Sequence, residues 1–133
     1  MKSPIYYAIF IDDISKLTLL NAFKYIIPEN WKQYCDHLTI SFGEPKTETV
    51  KNYITNFIGH KVSFYIDSFG KSDKAIAVKT SDNIVISENT NAHITLSVNK
   101  KCSPKDSNEI LNWIDIDKIF VNGIVDQFPR IHI

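Results

Sequence analysis

The sequence predicts an α+β fold with a mainly antiparallel sheet. Segments that alternate like strands are mixed with segments of helical period in the 133-residue chain, without the strict strand–helix alternation of a parallel doubly wound sheet. The apolar content of 44% is enough for one core, and no linker or low-complexity segment divides the chain. We therefore expect residues 1–133 to form a single domain.

Three helices are predicted. Apolar side chains recur every three or four positions over residues 17–27, after Ser15 as a candidate N-cap. Residues 48–58 have the same period and are followed by Gly59, which suits a helix C-cap. A third helix is expected over residues 107–113, capped by its first residue.

The strands are predicted from alternation and from β-branched and aromatic residues. Residues 70–73 have the composition of a hairpin turn, so the strands on either side of them should pair antiparallel. The strand segments are residues 6–11, 36–42, 62–69, 75–79, a short one at 84–87, 92–98 and 119–125.

Charge and composition restrict the partners. The 15 basic and 15 acidic side chains cancel, so no net field attracts DNA, long RNA or an anionic membrane. A local group of lysines can still bind a small phosphorylated ligand. No apolar run reaches the ~20 residues of a membrane span, and Cys35 and Cys102 do not form the pattern of a disulfide framework. We expect a soluble, cytoplasmic monomer.

Two of the four histidines begin the same tetrad, His-apolar-Thr-apolar. In a strand, residues i and i+2 lie on one face about 6 to 7 Å apart, so such a tetrad presents an imidazole and a hydroxyl to the same space. We predict that the two tetrads converge on one cleft. They are His37-Leu38-Thr39-Ile40 and His93-Ile94-Thr95-Leu96.

A pair of imidazoles suits the cleavage of a phosphodiester without a metal. A neutral His can take a proton from the attacking hydroxyl or water while a protonated His gives one to the leaving oxygen, because both titrate near neutral pH. Thr39 and Thr95 can donate hydrogen bonds to the non-bridging phosphate oxygens. We predict a phosphodiesterase with His37 and His93 as catalytic residues, both threonines as phosphate-binding residues, and no cofactor.

A zinc site is the competing interpretation of the two histidines, with Cys35 or Cys102 as a further ligand. It leaves the repeated threonines unexplained, and no close ligand spacing such as His-x-x-x-His occurs in the sequence. A lone His on a strand is more often a structural residue than a catalyst. The repetition of the tetrad is what favours catalysis.

Other side chains are candidates for substrate binding. Tyr7 in the first strand and Trp31 can stack on a nucleobase, although each is also an ordinary core aromatic. The segment after the second tetrad can form a basic lip for phosphate, or simply an exposed charged loop, through Asn99, Lys100, Lys101 and Lys105. His60 and His132 lie outside any motif and are expected to be solvated.

With these two tetrads the sequence resembles the 2H phosphoesterases, also called LigT-like phosphodiesterases, whose signature is two His-apolar-Thr/Ser-apolar motifs several tens of residues apart. The resemblance implies a two-lobed α+β fold made by internal duplication, with two mainly antiparallel sheets, helices on the outside and a central active cleft. It implies the two-histidine mechanism for His37 and His93 and says little about the substrate.

Members of that family act on 2',3'-cyclic phosphates at RNA ends, on 2'-5' linkages, on ADP-ribose cyclic phosphate or on cyclic nucleotides of antiviral signalling. The neutral chain and a virus-like abundance of Ile, Asn and Lys favour a cyclic nucleotide or cyclic dinucleotide such as cyclic GMP-AMP, cleaved to evade host defence. The alternatives are a phosphodiesterase of RNA ends or 2'-5' oligoadenylate, a nucleotide-binding module without catalysis, and a structural or interaction protein.

Overall fold

The computed structural model describes residues 4–132, which form seven strands, two α-helices and one 3₁₀ helix. In chain order these are β1 (Tyr6–Ile11), α1 (Asp13–Ala22), β2 (Lys32–Gln33), β3 (His37–Phe42), α2 (Glu48–Phe57), β4 (Lys61–Lys71), β5 (Ala75–Lys79), β6 (His93–Val98), the 3₁₀ helix (Pro104–Glu109) and β7 (Trp113–Phe128).

Six of the strands close into a ring in which every pair is antiparallel. The order around the ring is β6, β3, β1, β7, β4 and β5, and β5 pairs with β6 again. The two residues of β2 pair with the end of β6. At one side of the ring β4 and β7 pair along most of β4, whereas at the other side β3 and β6 meet at the single pair Leu38 and Ile94.

The expected two-lobed fold with two sheets is wrong. The chain forms one closed antiparallel barrel of six strands with one extra strand, and only about 20% of it is helical. The physical reason is the pairing of strand edges. Two separate sheets would leave backbone N–H and C=O groups unpaired at their edges. Here β3 pairs with β6 and β4 pairs with β7, so these groups form hydrogen bonds across the two halves of the chain.

One face of the sheet carries the apolar core. The two apolar residues of each tetrad are fully buried on this face: Leu38, Ile40, Ile94 and Leu96. Both α-helices pack against it through the buried side chains Leu19, Val50, Tyr53 and Ile54. Because side chains alternate along a strand, the histidines and threonines of the tetrads lie on the other face.

The first helix differs from its prediction at both ends. It begins at Asp13 because Asp12, not Ser15, is its N-cap, and the Asp12 carboxylate accepts a hydrogen bond from the backbone N–H of Ser15 at 2.8 Å. Ser15 is buried instead, and its hydroxyl accepts the backbone N–H of Asn122 in β7. The extension to residue 27 is also wrong, since the helix ends at Ala22.

The second helix confirms its prediction, and the third does not. α2 is capped by Thr47 and followed by Gly59 at a φ of +83°. The helix predicted over residues 107–113 is wrong, because Ser103 and Pro104 begin the 3₁₀ helix earlier and the chain after it joins β4 as the start of β7. Residues 84–87 form no strand. Within residues 4–132, no helix has the length and apolar character that crossing a membrane requires.

Gly123 in β7 permits the close approach of β7 to β1. A Cβ at this position would lie 2.6 Å from the carbonyl oxygen of Phe10 and 2.6 Å from Cγ2 of Ile9. We predict that Gly123→Ala lowers the free energy of unfolding by about 2 to 3 kcal/mol, because the backbone oxygen of a paired strand cannot move aside. Urea denaturation measures this loss.

Gly43→Ala is the control for that variant. A Cβ on Gly43 meets no atom within 4 Å, so only its left-handed φ of +78° is unfavourable, at about 1 kcal/mol. Equal losses of stability in the two variants would contradict the clash with β1.

Candidate functional site

The histidines of the two tetrads line the same cavity. It has a volume of about 690 Å³ and lies on the sheet face opposite the apolar core. This volume is in the usual range for small-molecule sites. All four polar residues of the tetrads line it: His37, Thr39, His93 and Thr95.

The two tetrads are related by a local two-fold axis. Leu38 and Ile94 are directly opposed in an antiparallel pair, so the register puts Thr95 opposite His37 and His93 opposite Thr39. In such a pair, opposed side chains are about 5 Å apart and diagonal ones about 7 to 8 Å apart. The two imidazoles therefore occupy one diagonal of a square and the two hydroxyls occupy the other.

The same two-fold relation includes the next strand on each side. β1 pairs with β3 in the register in which β5 pairs with β6, so that Ala8 lies opposite Thr39 and Ala77 opposite Thr95. Each ladder also has its irregularity immediately before that alanine. The repeated tetrads thus lie in repeated strand environments, and the neighbour of each threonine is too small to cover its hydroxyl.

No protein-family model matches the chain. No curated protein matches it significantly either. The likeness to the 2H phosphoesterases therefore stays a prediction that depends on the two tetrads, and the chemistry of the site depends on its geometry.

The ring of His37 is held among aromatic side chains. Its centroid lies 4.9 Å from that of Tyr6, in a stacked arrangement, and 5.8 Å from that of Phe10. The neighbouring Asp36 lines the cavity and forms an ion pair with Lys16 at 2.9 Å. The rings of Tyr6 and Phe10 restrict the orientation of the His37 ring.

The ring of His93 is held by a hydrogen bond. Its Nδ1 lies 2.7 Å from the backbone carbonyl oxygen of Asn91. Since a carbonyl oxygen only accepts, Nδ1 carries the proton and donates it, and Nε2 keeps the lone pair in the neutral ring. The cross-strand neighbour of His93 is Lys79, whereas the cross-strand neighbour of His37 is Phe10.

Thr95 is oriented by the 3₁₀ helix. Its hydroxyl lies 2.9 Å from that of Ser107 and 3.4 Å from the carbonyl oxygen of Pro104. Ser107 is only 1% exposed, so the serine side of this contact is closed to bulk water, while Thr95 itself lines the cavity. The sequence predicted Ser107 as a helix cap and gave no sign of this contact, which depends on the fold of the loop after β6.

Burial lowers the pKa of both histidines. For His37, burial away from water is the largest cause and lowers the pKa. The negative charge of Asp36 raises this pKa, and the nearby His93 lowers it further. For His93 burial again lowers the pKa, against the hydrogen bond to Asn91. Both rings are therefore neutral at pH 7 in the free protein, and an anion bound between them would raise the pKa of each.

Five aromatic side chains line the cavity, and we call them the aromatic wall. Phe42 is 72% exposed and Phe128 is 40% exposed, so neither is there to fill the core. The rings of Tyr6 and Phe128 are parallel within 6°, with centroids 5.0 Å apart. The aromatic residues that line the cavity are Tyr6, Phe10, Tyr34, Phe42 and Phe128.

The predicted substrate-binding residues Tyr7 and Lys100 do not line this cavity. Tyr7 packs against the core cluster, because Phe10 is the register partner of His37 and only even-numbered residues of β1 share its face. Tyr6 takes the place predicted for Tyr7. Of the lysines predicted to form a basic lip, Lys100 is exposed outside the cavity, whereas Lys105 lines it.

The remaining sequence candidates lie elsewhere. Trp31 packs against the core cluster. His60 is exposed. The Nδ1 of His132 lies 3.2 Å from the carboxylate of the buried Asp126. None of these three residues lines the cavity.

Two asparagines that no sequence motif marks, Asn89 and Asn108, also line the cavity. Each lies outside the strands, in a segment whose position is set by distant contacts. The loop of Asn89 is held by hydrogen bonds from Ser87 to Thr39 and from the backbone of Glu88 to Ile40. No local pattern marks such residues.

The zinc interpretation has no ligand set in the described residues. Among residues 4–132, no group of three or more His, Cys, Asp and Glu side chains is arranged to hold a metal ion. Cys35 is buried in the apolar core.

We predict that His37 and His93 titrate below the ordinary value of 6.5 in the free protein. NMR of the ring nitrogens over a pH series measures both midpoints. The unfolded chain binds protons near pH 6.5, whereas the buried rings bind them only at lower pH, so stability should decline as the pH falls below 7. This decline should be smaller in His37→Ala, and midpoints at or above 6.5 would contradict the prediction.

Proposed function

We propose that this protein is a metal-independent phosphodiesterase of small nucleotides, with His37 and His93 as its acid and base. The observation that carries the proposal is the crossed arrangement of two imidazoles and two hydroxyls in one cavity of small-molecule size. The residue types, their spacing and their common access to the cavity all fit this one chemistry.

The proposed mechanism divides two proton transfers between the histidines. A phosphate lies between the two imidazoles. Diagonal residues of paired strands are about 7 to 8 Å apart, and this distance leaves room for the phosphate. One ring takes the proton of the attacking water or hydroxyl, and the other gives a proton to the departing oxygen. The Thr39 hydroxyl donates to a non-bridging oxygen as negative charge builds. Thr95 donates to another when it gives up its long bond to the Pro104 carbonyl oxygen, with the Ser107 hydroxyl donating to Thr95.

The protonated ring is produced when the substrate binds. In the free protein both histidines have lowered pKa values because they are buried. A phosphate anion beside them favours the charged imidazolium and raises the pKa of the ring it contacts. Lys105 at the cavity adds positive charge that attracts the anion.

The aromatic wall supports a nucleotide as the substrate. Exposed rings beside a phosphate site provide faces on which a base can stack. Among the described residues 4–132, Lys105 is the single Lys or Arg that lines the cavity, and the chain has no net charge, which favours a small ligand over a long RNA. A cyclic nucleotide or cyclic dinucleotide is the proposed class, and RNA 2',3'-cyclic ends and 2'-5' oligoadenylate are the alternatives.

We expect the protein to cleave at least one of these substrates in the presence of EDTA, with products resolved by chromatography. His37→Ala and His93→Ala should each lower kcat by about 100- to 10,000-fold, because each removes one proton transfer. His60→Ala, an exposed histidine that does not line the cavity, is the matched control and should keep full activity.

Full activity in either cavity variant would refute the paired roles. Tight binding of a nucleotide by the unchanged protein, without any product, would identify a binding module instead of an enzyme.

The aromatic wall gives a separate prediction. Phe42→Ala should raise KM for a nucleotide about tenfold, since stacking of one base is worth ~1 to 3 kcal/mol. Phe120→Ala is the matched control, because Phe120 is 70% exposed and does not line the cavity. Steady-state kinetics of both variants decide the matter, and an equal change in KM would remove the aromatic wall from substrate binding.

A further inference from the structure

A loop joins the two strands that contain the tetrads. Within residues 4–132, β3 and β6 pair at one position, Leu38 and Ile94, and the ladder does not continue beyond it. Residues 87–91, which we call the bridging loop, take up the edge of β3 that this leaves free. The loop ends two residues before His93, so its position sets where β6 begins.

Two hydrogen bonds attach the bridging loop to the backbone of β3. The Ser87 hydroxyl donates to the carbonyl oxygen of Thr39 at 2.8 Å, and the backbone N–H of Glu88 donates to the carbonyl oxygen of Ile40 at 2.8 Å. The loop therefore continues the hydrogen bonding of β3 where β6 no longer does. It connects the strand of the first tetrad to the start of the strand that contains the second.

The Glu88 side chain adds a third attachment. Its carboxylate accepts hydrogen bonds from the backbone N–H of Lys46 at 2.6 Å and from the Ser41 hydroxyl at 3.1 Å. Ser41 lies in β3 and is fully buried, and Lys46 immediately precedes the N-cap of α2. Burial by itself raises the pKa of Glu88, but these hydrogen bonds outweigh it and lower the pKa, so the carboxylate is charged at neutral pH. Hydrogen bonds to a charged group are stronger than those between neutral groups.

The other end of the bridging loop sets the state of the His93 ring. The backbone carbonyl oxygen of Asn91 lies 2.7 Å from Nδ1 of His93 and accepts its proton. The position of this carbonyl therefore decides which ring nitrogen keeps the lone pair. If the loop moved, the proton could exchange between the two ring nitrogens. The loop that Glu88 attaches to β3 is thus the same loop that orients His93.

His37 is held in a different way. Its ring packs against Tyr6 and Phe10, which belong to β1. A change confined to the bridging loop should therefore reach His93 and leave the ring of His37 in place. This difference separates a specific effect on one imidazole from a general loss of structure.

We propose that Glu88 is a positioning residue for His93. By holding the bridging loop on β3 it places the Asn91 carbonyl, which fixes the proton on Nδ1 of His93 and leaves Nε2 for proton transfer. The role depends on the hydrogen bonds of Glu88 and not on its charge. The effect on catalysis rests on the proposed function, whereas the effect on the ring is a property of the free protein.

Glu88→Gln separates position from charge. The glutamine carbonyl oxygen can accept the Lys46 N–H, and its amide can donate to the Ser41 hydroxyl oxygen while that hydroxyl donates to the carbonyl oxygen of Gly43 at 3.1 Å. Glu88→Ala removes both contacts. Ser41→Ala removes one of them and is a second, milder variant. Glu29→Ala is the matched control, because Glu29 is exposed and does not line the cavity.

We expect Glu88→Ala to lower kcat about 10- to 100-fold, since a displacement of about 1 Å at a catalytic group costs on this order, and to leave KM nearly unchanged. Ser41→Ala should lower kcat less, and Glu88→Gln and Glu29→Ala should keep it near that of the unchanged protein. Steady-state kinetics with cyclic GMP-AMP and with adenosine 2',3'-cyclic phosphate measure these effects. NMR of the ring nitrogens should show that His93 loses its fixed Nδ1 proton in Glu88→Ala, with the signals of His37 in place.

Three results would overturn the inference. The first is an unchanged His93 ring in Glu88→Ala, and the second is an equal disturbance of His37, which indicates a merely structural role. The third is a loss in Glu88→Gln as large as that in Glu88→Ala, which assigns the effect to the charge. If Glu88→Ala does not fold, the ring signals of Ser41→Ala decide the matter. If neither substrate is cleaved, the proposed function fails, and the ring signals alone still decide whether Glu88 positions His93.

Discussion

The pairing of Leu38 with Ile94 is the contact on which both the closed sheet and the site depend. It is the point at which β3 meets β6, and without it the ring of six strands would be open at that side. Both side chains are fully buried in the core. Because residues alternate along a strand, burying these two turns the flanking histidines and threonines toward the cavity. Core packing and the geometry of the site are therefore set by the same interaction.

The site combines a symmetric framework with asymmetric surroundings. The two-fold relation of β1 and β3 to β5 and β6 gives each half one imidazole and one hydroxyl in the same register. The neighbours then differ: His37 lies among aromatic rings, and His93 lies beside asparagines and the 3₁₀ helix. In the proposed function, the symmetric part carries out proton transfer and the aromatic side chains beside His37 bind a base.

Local patterns predicted many of the elements but not their closure into one sheet. The strands that contain the tetrads and the hairpin of β4 and β5 were predicted from alternation and turn composition, since these depend on near neighbours in the chain. Closure depends on which edges meet, and those pairs are far apart in sequence. The helix expected over residues 107–113 failed for a related reason, because the free edge of β4 takes up Trp113 and the residues after it as a strand.

The sequence by itself determined that His37 and His93 share the pattern of an imidazole and a hydroxyl on one strand face, because the period of a strand is a local property. Only the tertiary structure decided that the two faces meet in one cavity, that Tyr6 and not Tyr7 lines it, and that Asn108 of the 3₁₀ helix completes it. Those facts depend on register and on loop position, which are fixed by the burial of side chains far apart in the chain.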